Sequence, residues 1–437
     1  MTKSVKDNPG HVLRLFLTAA TLALYLMAVL SPDREELFTG FARIMLSPAQ
    51  LTKDYFLLGS VSGTFFNMAL VGTVYVALMY LLPGVVVKGS TVAAFFLTVG
   101  FSAWGINFLN IWPFFLGVML HALAKRESLS KYVDLAMFST ALCPLVSELL
   151  LRYPNDGEIH GITLGSALLA LAVGILVGFL TPAIAAHSPS VHKGYDLYSA
   201  ALPGGILGFF LVALLYKTAG KAVPAIEASL GESRPGVVLG FCGAFFALCV
   251  LAGFLLNGRS WKGYWELLRD TGHKVDFTAK YGPGLAILNV GVYGLFILAY
   301  YTAIGGSFNG VTLGIVFCMV CFGAAGSHPG NVWPIMVGYL LASLLGVNPI
   351  NAQAIMVGLC FASGLAPIAG AYGWWAGVIA GGAHYVLVTS VPALHGGFCL
   401  YNGGFTALLI AIILVPQLET FCRTKAERQA AKAPAKK

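Results

Sequence analysis

Apolar residues in this chain come in long unbroken runs separated by short polar clusters. In the first part the runs are Val12–Leu30, Tyr55–Leu82, Thr91–Trp104, Ile111–Ala124, Tyr132–Leu151, Thr163–Ala186 and Tyr198–Tyr216. In the second they are Val237–Leu256, Leu285–Ile304, Val311–Ala325, Val332–Leu345, Ile350–Ala369, Tyr372–Ser390 and Tyr401–Pro416. A run of roughly 20 apolar residues spans a bilayer as a helix. Two stretches, Asp33–Lys53 and Arg259–Lys280, are amphipathic instead. The first run has a basic start but no small-x-small cleavage site before Ser31, and it is long enough to span, so a retained helix is expected.

The runs repeat. Asn110-Ile111-Trp112-Pro113 recurs as Asn331-Val332-Trp333-Pro334, and glycine follows each proline at Gly117 and Gly338. Upstream, Asp54-Tyr55 matches Asp276-Phe277, and Asn67 with Gly72 matches Asn289 with Gly294. Downstream, Phe138–Pro144 matches Phe361–Pro367. Last, the segment from His192 through Tyr198 to Ser199 matches that from His395 through Tyr401 to Asn402. The matches keep one order, most at an offset of about 220 residues, which marks a tandem duplication. The expected division is residues 1–216, a linker 217–235, a second repeat 236–418 and a basic tail 419–437.

About seven apolar segments per copy is an odd number, so the second copy is expected upside down relative to the first. The predicted fold is therefore an all-α integral membrane protein of two tandem inverted-topology repeats. Two segments per copy, such as Thr91–Trp104 and Ile111–Ala124, are too short to cross. They predict broken or re-entrant helices, which are tolerated at membrane depth only inside protein or beside a water-filled cavity.

Composition agrees. Hydrophobic residues make up 58% of the chain and charged ones 10%, so charge cannot cover a water-facing surface of this size. A soluble enzyme, a disordered chain and a nucleic-acid reader are thereby excluded. The formal charge of +8 gathers at the ends (Lys3, Lys6, Arg14; Arg423, Lys425, Arg428, Lys432, Lys436, Lys437) and in the 259–280 loop. Placing these inside, with Asp33, Glu35, Glu36, Asp156 and Glu158 outside, puts both termini in the cytoplasm; Lys217, Lys221 and Arg234 dissent. The eight cysteines lie mostly in apolar runs and read as buried thiols, including the pair Cys318 and Cys321.

Four groups of residues could carry chemistry. Proline suits a helix's first turn and asparagine can cap one, so Asn110, Trp112, Pro113 and Asn331, Trp333, Pro334 predict two half-helices. Their positive ends would face a midplane site for a polar or anionic solute; the plainer reading is two caps and two packing tryptophans. His192 with Tyr198, and His395 with Tyr401, could line a pathway or simply cap turns. Asn67 and Asn289 lie in long apolar helices and need partners, either a neighbouring helix or the solute. Asp134 and Glu148 lack acidic counterparts in the second copy. No metal site, cofactor or catalytic constellation is expected, and no nucleotide-binding or zinc-hydrolase motif occurs.

The stretch Ser130–Leu150 (SKYVDLAMFSTALCPLVSELL), the Asn-Ile-Trp-Pro segment and the Asp-Tyr, Asn and Gly that open each copy resemble a bacterial family of polytopic membrane proteins. That family is known only as a domain of unknown function. The resemblance spans nearly the whole chain. It implies a bacterial inner-membrane protein and supplies no activity. The organisation is also similar to that of urea transporters, in architecture alone, since their proline-rich signature is absent. The reading is a transporter or channel for a small polar or anionic solute, its partners being membrane lipid and that solute. A homo-oligomer is compatible with the sequence. The alternatives are an intramembrane enzyme using the His/Tyr motif and a non-transporting scaffold or receptor subunit.

Overall fold

A computed structural model describes residues 8–154 and 158–431; Lys3, Lys6, Asp156, Lys432, Lys436 and Lys437, which figured in the charge pattern, lie outside them. Among the described residues there is no strand, only an isolated bridge between Lys53 and Ser229. Nine helical stretches there are long and apolar enough to cross a membrane.

The first half runs α1 (Pro9–Leu30), α2 (Leu37–Met45), α3 (Val61–Leu81), α4 (Gly89–Phe101), α5 (Trp112–Lys125), α6 (Val133–Phe138), α7 (Cys143–Leu151), α8 (Leu164–Ala185) and α9 (Ala201–Val212). The second runs α10 (Pro235–Leu256), α11 (Pro283–Ala303), α12 (Gly310–Val320), α13 (Pro329–Leu345), α14 (Gln353–Ala362), α15 (Ala366–Tyr372), α16 (Trp374–Val388) and α17 (Asn402–Phe421). Helix α1 buries Leu13, Leu17, Ala20, Leu24 and Ala28, one stripe at helical spacing, and packs along α3. In α2 the buried positions Leu37, Gly40 and Ile44 make the inner face of the expected amphipathic stretch.

Packing is matched between halves. Helix α1 lies along α3 as α10 lies along α11, and α5 along α8 as α13 along α16. Small residues permit the last two pairs. A Cβ on Gly178 would stand 2.1 Å from the Phe114 carbonyl oxygen, and one on Gly381 2.3 Å from that of Ile335. Gly117 and Gly338, the glycines of the repeated motif, face the partner backbones at 2.3 Å and 2.2 Å. Between the halves, α4 packs on α12 and α9 on α17. Helices α4 and α12 are antiparallel: Gly100 meets Gly314 backbone to backbone, while Gly89 abuts Ala324.

The heads of α4 and α12 are held crosswise. Asp276 accepts the Gly89 N–H at 3.0 Å, and Asp54 accepts the Gly310 N–H at 3.1 Å. Each carboxylate therefore caps a helix of the opposite half, at opposite ends of the α4–α12 pair.

Three expectations change. The second short helix begins at Pro329, with Pro334 inside α13 rather than at its start, because Pro329 takes the first turn and the Asn331 side chain accepts the N–H of the cap residue His328 at 3.0 Å. The runs Tyr132–Leu151 and Ile350–Ala369 are not continuous helices. Each is broken by a 3-10 turn, Ser139–Leu142 and Ser363–Leu365, and resumes at a helix with Pro144 or Pro367 in its first turn. Finally, the loops after α4 and α12 do not meet midway. They lie at opposite ends of the α4–α12 pair, about 20 Å apart along a helix of α4's length.

Candidate functional site

Each short helix of the central pair ends in a loop that is closed by asparagines of its own half. Asn110 donates to the Gly105 carbonyl at 3.0 Å and accepts the Asn107 N–H at 2.9 Å. Asn331 does the same with Gly326 at 2.8 Å and His328 at 3.0 Å. From α3, Asn67 donates to Ser102 and Ile106 carbonyls at 2.7 and 3.0 Å. From α11, Asn289 donates to Gly323 and Ser327 at 2.7 and 2.9 Å. All four amides are buried. They hold the carbonyls released where the helices stop, which is the need such breaks create in a membrane. The tryptophans do not join them: Trp112 is 45% exposed and Trp333 41%, both on the outer surface, while Pro113 and Pro334 are buried in helix packing.

The second repeated motif crosses between halves. Leu197 N–H donates to the Gly364 carbonyl at 3.0 Å, and Leu400 N–H to Ala141 at 2.9 Å. Each motif thus pairs with the 3-10 break of the other half. Tyr198 follows by donating to the Cys318 and Cys360 carbonyls at 2.9 and 3.3 Å. Tyr401 does not reproduce this. The corresponding carbonyls are those of Leu97, which meets the Cys318 thiol at 3.5 Å, and Met137, which accepts the Thr140 hydroxyl at 2.6 Å much as Cys360 accepts that of Ser363. The buried Tyr401 hydroxyl has no partner among the described residues, beside Thr140 and Tyr75, and the Tyr75 hydroxyl has none there either.

The two histidines differ as well. His192 accepts the Gly194 and Asp196 N–H groups on Nδ1, at 3.1 and 3.3 Å, and meets Ser199 at 2.9 Å. His395 is buried, and neither ring nitrogen has a partner among the described residues. Burial pushes both imidazoles down to about 4, so both are neutral near pH 7.

Two recesses flank this crossing at opposite ends of the α4–α12 pair. One, of about 380 Å³, is lined by Lys53, Glu148, Arg152, Tyr216 and Glu227, with a Glu148–Arg152 ion pair at 2.8 Å. The other, of about 400 Å³, is lined by Lys88, His192, Asp196, Ser199, Lys274 and Asp276. Several buried side-chain atoms have no partner among the described residues, including Trp104 Nε1, Tyr293 Oη, Ser327 Oγ and Asp196 Oδ2. Such atoms are rare and ask for an explanation. Seven of the eight free cysteines are buried, and no described group of three or more His, Cys, Asp or Glu is placed to hold a metal.

Sequence reasoning missed Tyr75, Thr98, Thr140, Ser363 and the carbonyls of Cys318 and Cys360. A signal existed: the match of Phe138–Pro144 with Phe361–Pro367 keeps a hydroxyl (Thr140, Ser363) a few residues before a proline in an apolar run. That is the pattern of a helix interrupted for a purpose.

The fold defines a multi-pass helical membrane protein built from a duplicated unit. The chain belongs to the family described as "Protein of unknown function (DUF1576)", whose model matches twice, over residues 33–217 and 256–420. No curated protein and no solved structure matches it.

Proposed function

We propose that the protein is a membrane transporter or channel for a small polar or anionic solute, which passes along the boundary between the halves. The observation that carries this reading is the crossing of the two Leu-Tyr motifs into the opposite half's helix break, with unpartnered hydroxyls beside it and a polar recess at either end. Unpaired polar groups at membrane depth are expected where a cavity or a permeant supplies the partner. Asn110 and Asn331 act in this reading by shaping the loops, and Asn67 and Asn289 by anchoring them.

The reading includes an inverted arrangement of the halves, with both termini cytoplasmic in a bacterial inner membrane. Support comes from the antiparallel α4 and α12 and from a chain of contacts at one end of the molecule. Arg14 donates to Val85 at 2.7 Å, Gly89 to Asp276, and His273 meets the Lys193 carbonyl at 2.9 Å; Lys193 in turn pairs with Glu419. These contacts support a start of the first helix and an end of the last on one side of the membrane.

Osmotic swelling of proteoliposomes tests the function. Vesicles holding the full chain, challenged with urea, glycerol or nitrate, are expected to equilibrate faster than empty ones for at least one solute. Tyr401→Phe and Thr140→Val are expected to slow that rate with the protein still folded. Equal rates in protein-containing and empty vesicles for all three solutes would remove the reading.

A further inference from the structure

The two copies of the His-to-Tyr motif are not chemically equal. Where the first has Asp196, the second has Cys399. Asp196 is only 2% exposed, and its Oδ1 accepts the Tyr198 N–H at 2.9 Å. Its Oδ2 has no partner among the described residues. Asp196 is among the residues lining the 400 Å³ recess, although Oδ2 itself is buried. It also abuts the opposite half's break, because a Cβ on Gly364 would stand 2.8 Å from Asp196 Oδ1.

We propose that Asp196 is a proton-binding site of the carrier, taking a proton from water in the recess onto Oδ2 and releasing it there, in step with solute passage. Coupling to passage rests on the transporter reading; proton binding does not. The free oxygen is the one that faces no protein donor, so protonation there keeps the Oδ1 bond to Tyr198. Ionisation strengthens that bond and with it the seat of Tyr198 on the Cys318 and Cys360 carbonyls. In this way one proton alters the segment that spans the two halves.

The surroundings leave the carboxyl free to titrate. From its own segment His192 and Tyr198 face it, and His192 is neutral. Lys274 and Asp276 come from the 274–276 segment, with His273 stacked on the neighbouring Tyr195; Asp276 is occupied by Gly89 and Thr278. From the head of α4 come Lys88 and Ser90, the latter bonded to Asp134. Phe322 closes the α12 side, with Cys318 and Cys321 around the Tyr198 hydroxyl, and Cys360 closes the α14 side. Tyr372 reaches the site through Tyr195, and Lys193 is engaged by Glu419. Lys88 and Lys274 line the same recess without an ion pair to Asp196. Burial raises the carboxyl to about 7, inside the range where a carrier's proton must come and go.

Infrared difference spectra of the full chain in liposomes, recorded as pH is stepped through neutrality, test the site without any solute. A protonated-carboxyl stretch that titrates near neutral pH and vanishes in Asp196→Asn is expected, with Asp276→Asn leaving it in place. An unchanged band in Asp196→Asn overturns the proposal. Coupling is read with a pH dye inside the vesicles while urea, glycerol or nitrate is applied. Wild type is expected to move protons with whichever solute it carries, and Asp196→Asn to carry that solute without them. Solute movement without protons in wild type overturns the coupling. If wild type carries none of the three, the transporter reading fails and the coupling with it, while the infrared result decides the proton site alone.

Discussion

At the residue scale the controlling need is to satisfy polar groups where no water reaches. Asn67 and Asn289 each bond two carbonyls released by a helix that stops short. Replacing either by leucine leaves those carbonyls bare, at about 1–3 kcal/mol for each orphaned group. Asn67→Leu and Asn289→Leu should therefore lower the melting temperature in detergent clearly, and by similar amounts. Asp196 shows the opposite cost, since its carboxyl is pushed from 3.8 up to about 7 by burial. The folded protein then holds a proton that the unfolded chain releases, so the wild type loses stability as pH rises from about 4 to about 7. Asp196→Asn removes that loss. Its melting temperature relative to wild type should climb across this window and stay level above it; a difference that does not change with pH would show that the carboxyl titrates normally.

At the element scale, backbone contact decides which helices pair. The α5–α8 and α13–α16 pairs close because glycine faces carbonyl in both directions. Alanine at Gly178 or Gly381 would put a carbon within 2.1 or 2.3 Å of a carbonyl oxygen, so the helices must part. Overpacking of this kind costs about 1–3 kcal/mol, and both variants should melt lower than Gly236→Ala, where a Cβ meets nothing within 4 Å. The crossed caps give a second test. Asp54→Ala frees the N–H groups of Phe56, Gly231 and Gly310 together, and Asp276→Ala those of Gly89, Thr278 and Ala279. Each should destabilise more than Asp33→Ala, whose two N–H partners both lie within the first half.

At the scale of the whole molecule the question is which side each loop faces. In a background lacking Cys422, the one cysteine that is not buried, Glu36→Cys and Lys262→Cys offer exposed single labels. An impermeant maleimide added to intact cells should reach residue 36 and miss residue 262 until the membrane is opened. Equal labelling from outside would end the inverted arrangement. The pair Asn110→Ala and Asn331→Ala belongs here too. Each opens one loop, and both should slow solute passage in liposomes while expression persists, since one pathway would use both loops.

Much of this protein was legible in the sequence, because lipid leaves the chain few options. Long apolar runs must be helices, runs that are too short must be broken, and ordered repeats such as Asn-x-Trp-Pro must be a duplication. Asn67 and Asn289 could be marked as needing partners, since an amide in an apolar helix always does. The partners themselves came only with the tertiary structure. That Asp54 caps the other half as well as its own, and that Tyr198 and Tyr401 behave differently, depends on contacts between residues more than a hundred positions apart. The exposed tryptophans and the interior Pro334 make the same point, for a motif can repeat perfectly in sequence while its two copies start their helices a turn apart. Local pattern records what each segment can bury and where it must stop. The exchange of caps and tyrosines between the halves exists only once the halves are docked, because its donors and acceptors come from both: Tyr198 reaches the Cys318 and Cys360 carbonyls, while the Leu97 carbonyl faces the Cys318 thiol across the same boundary.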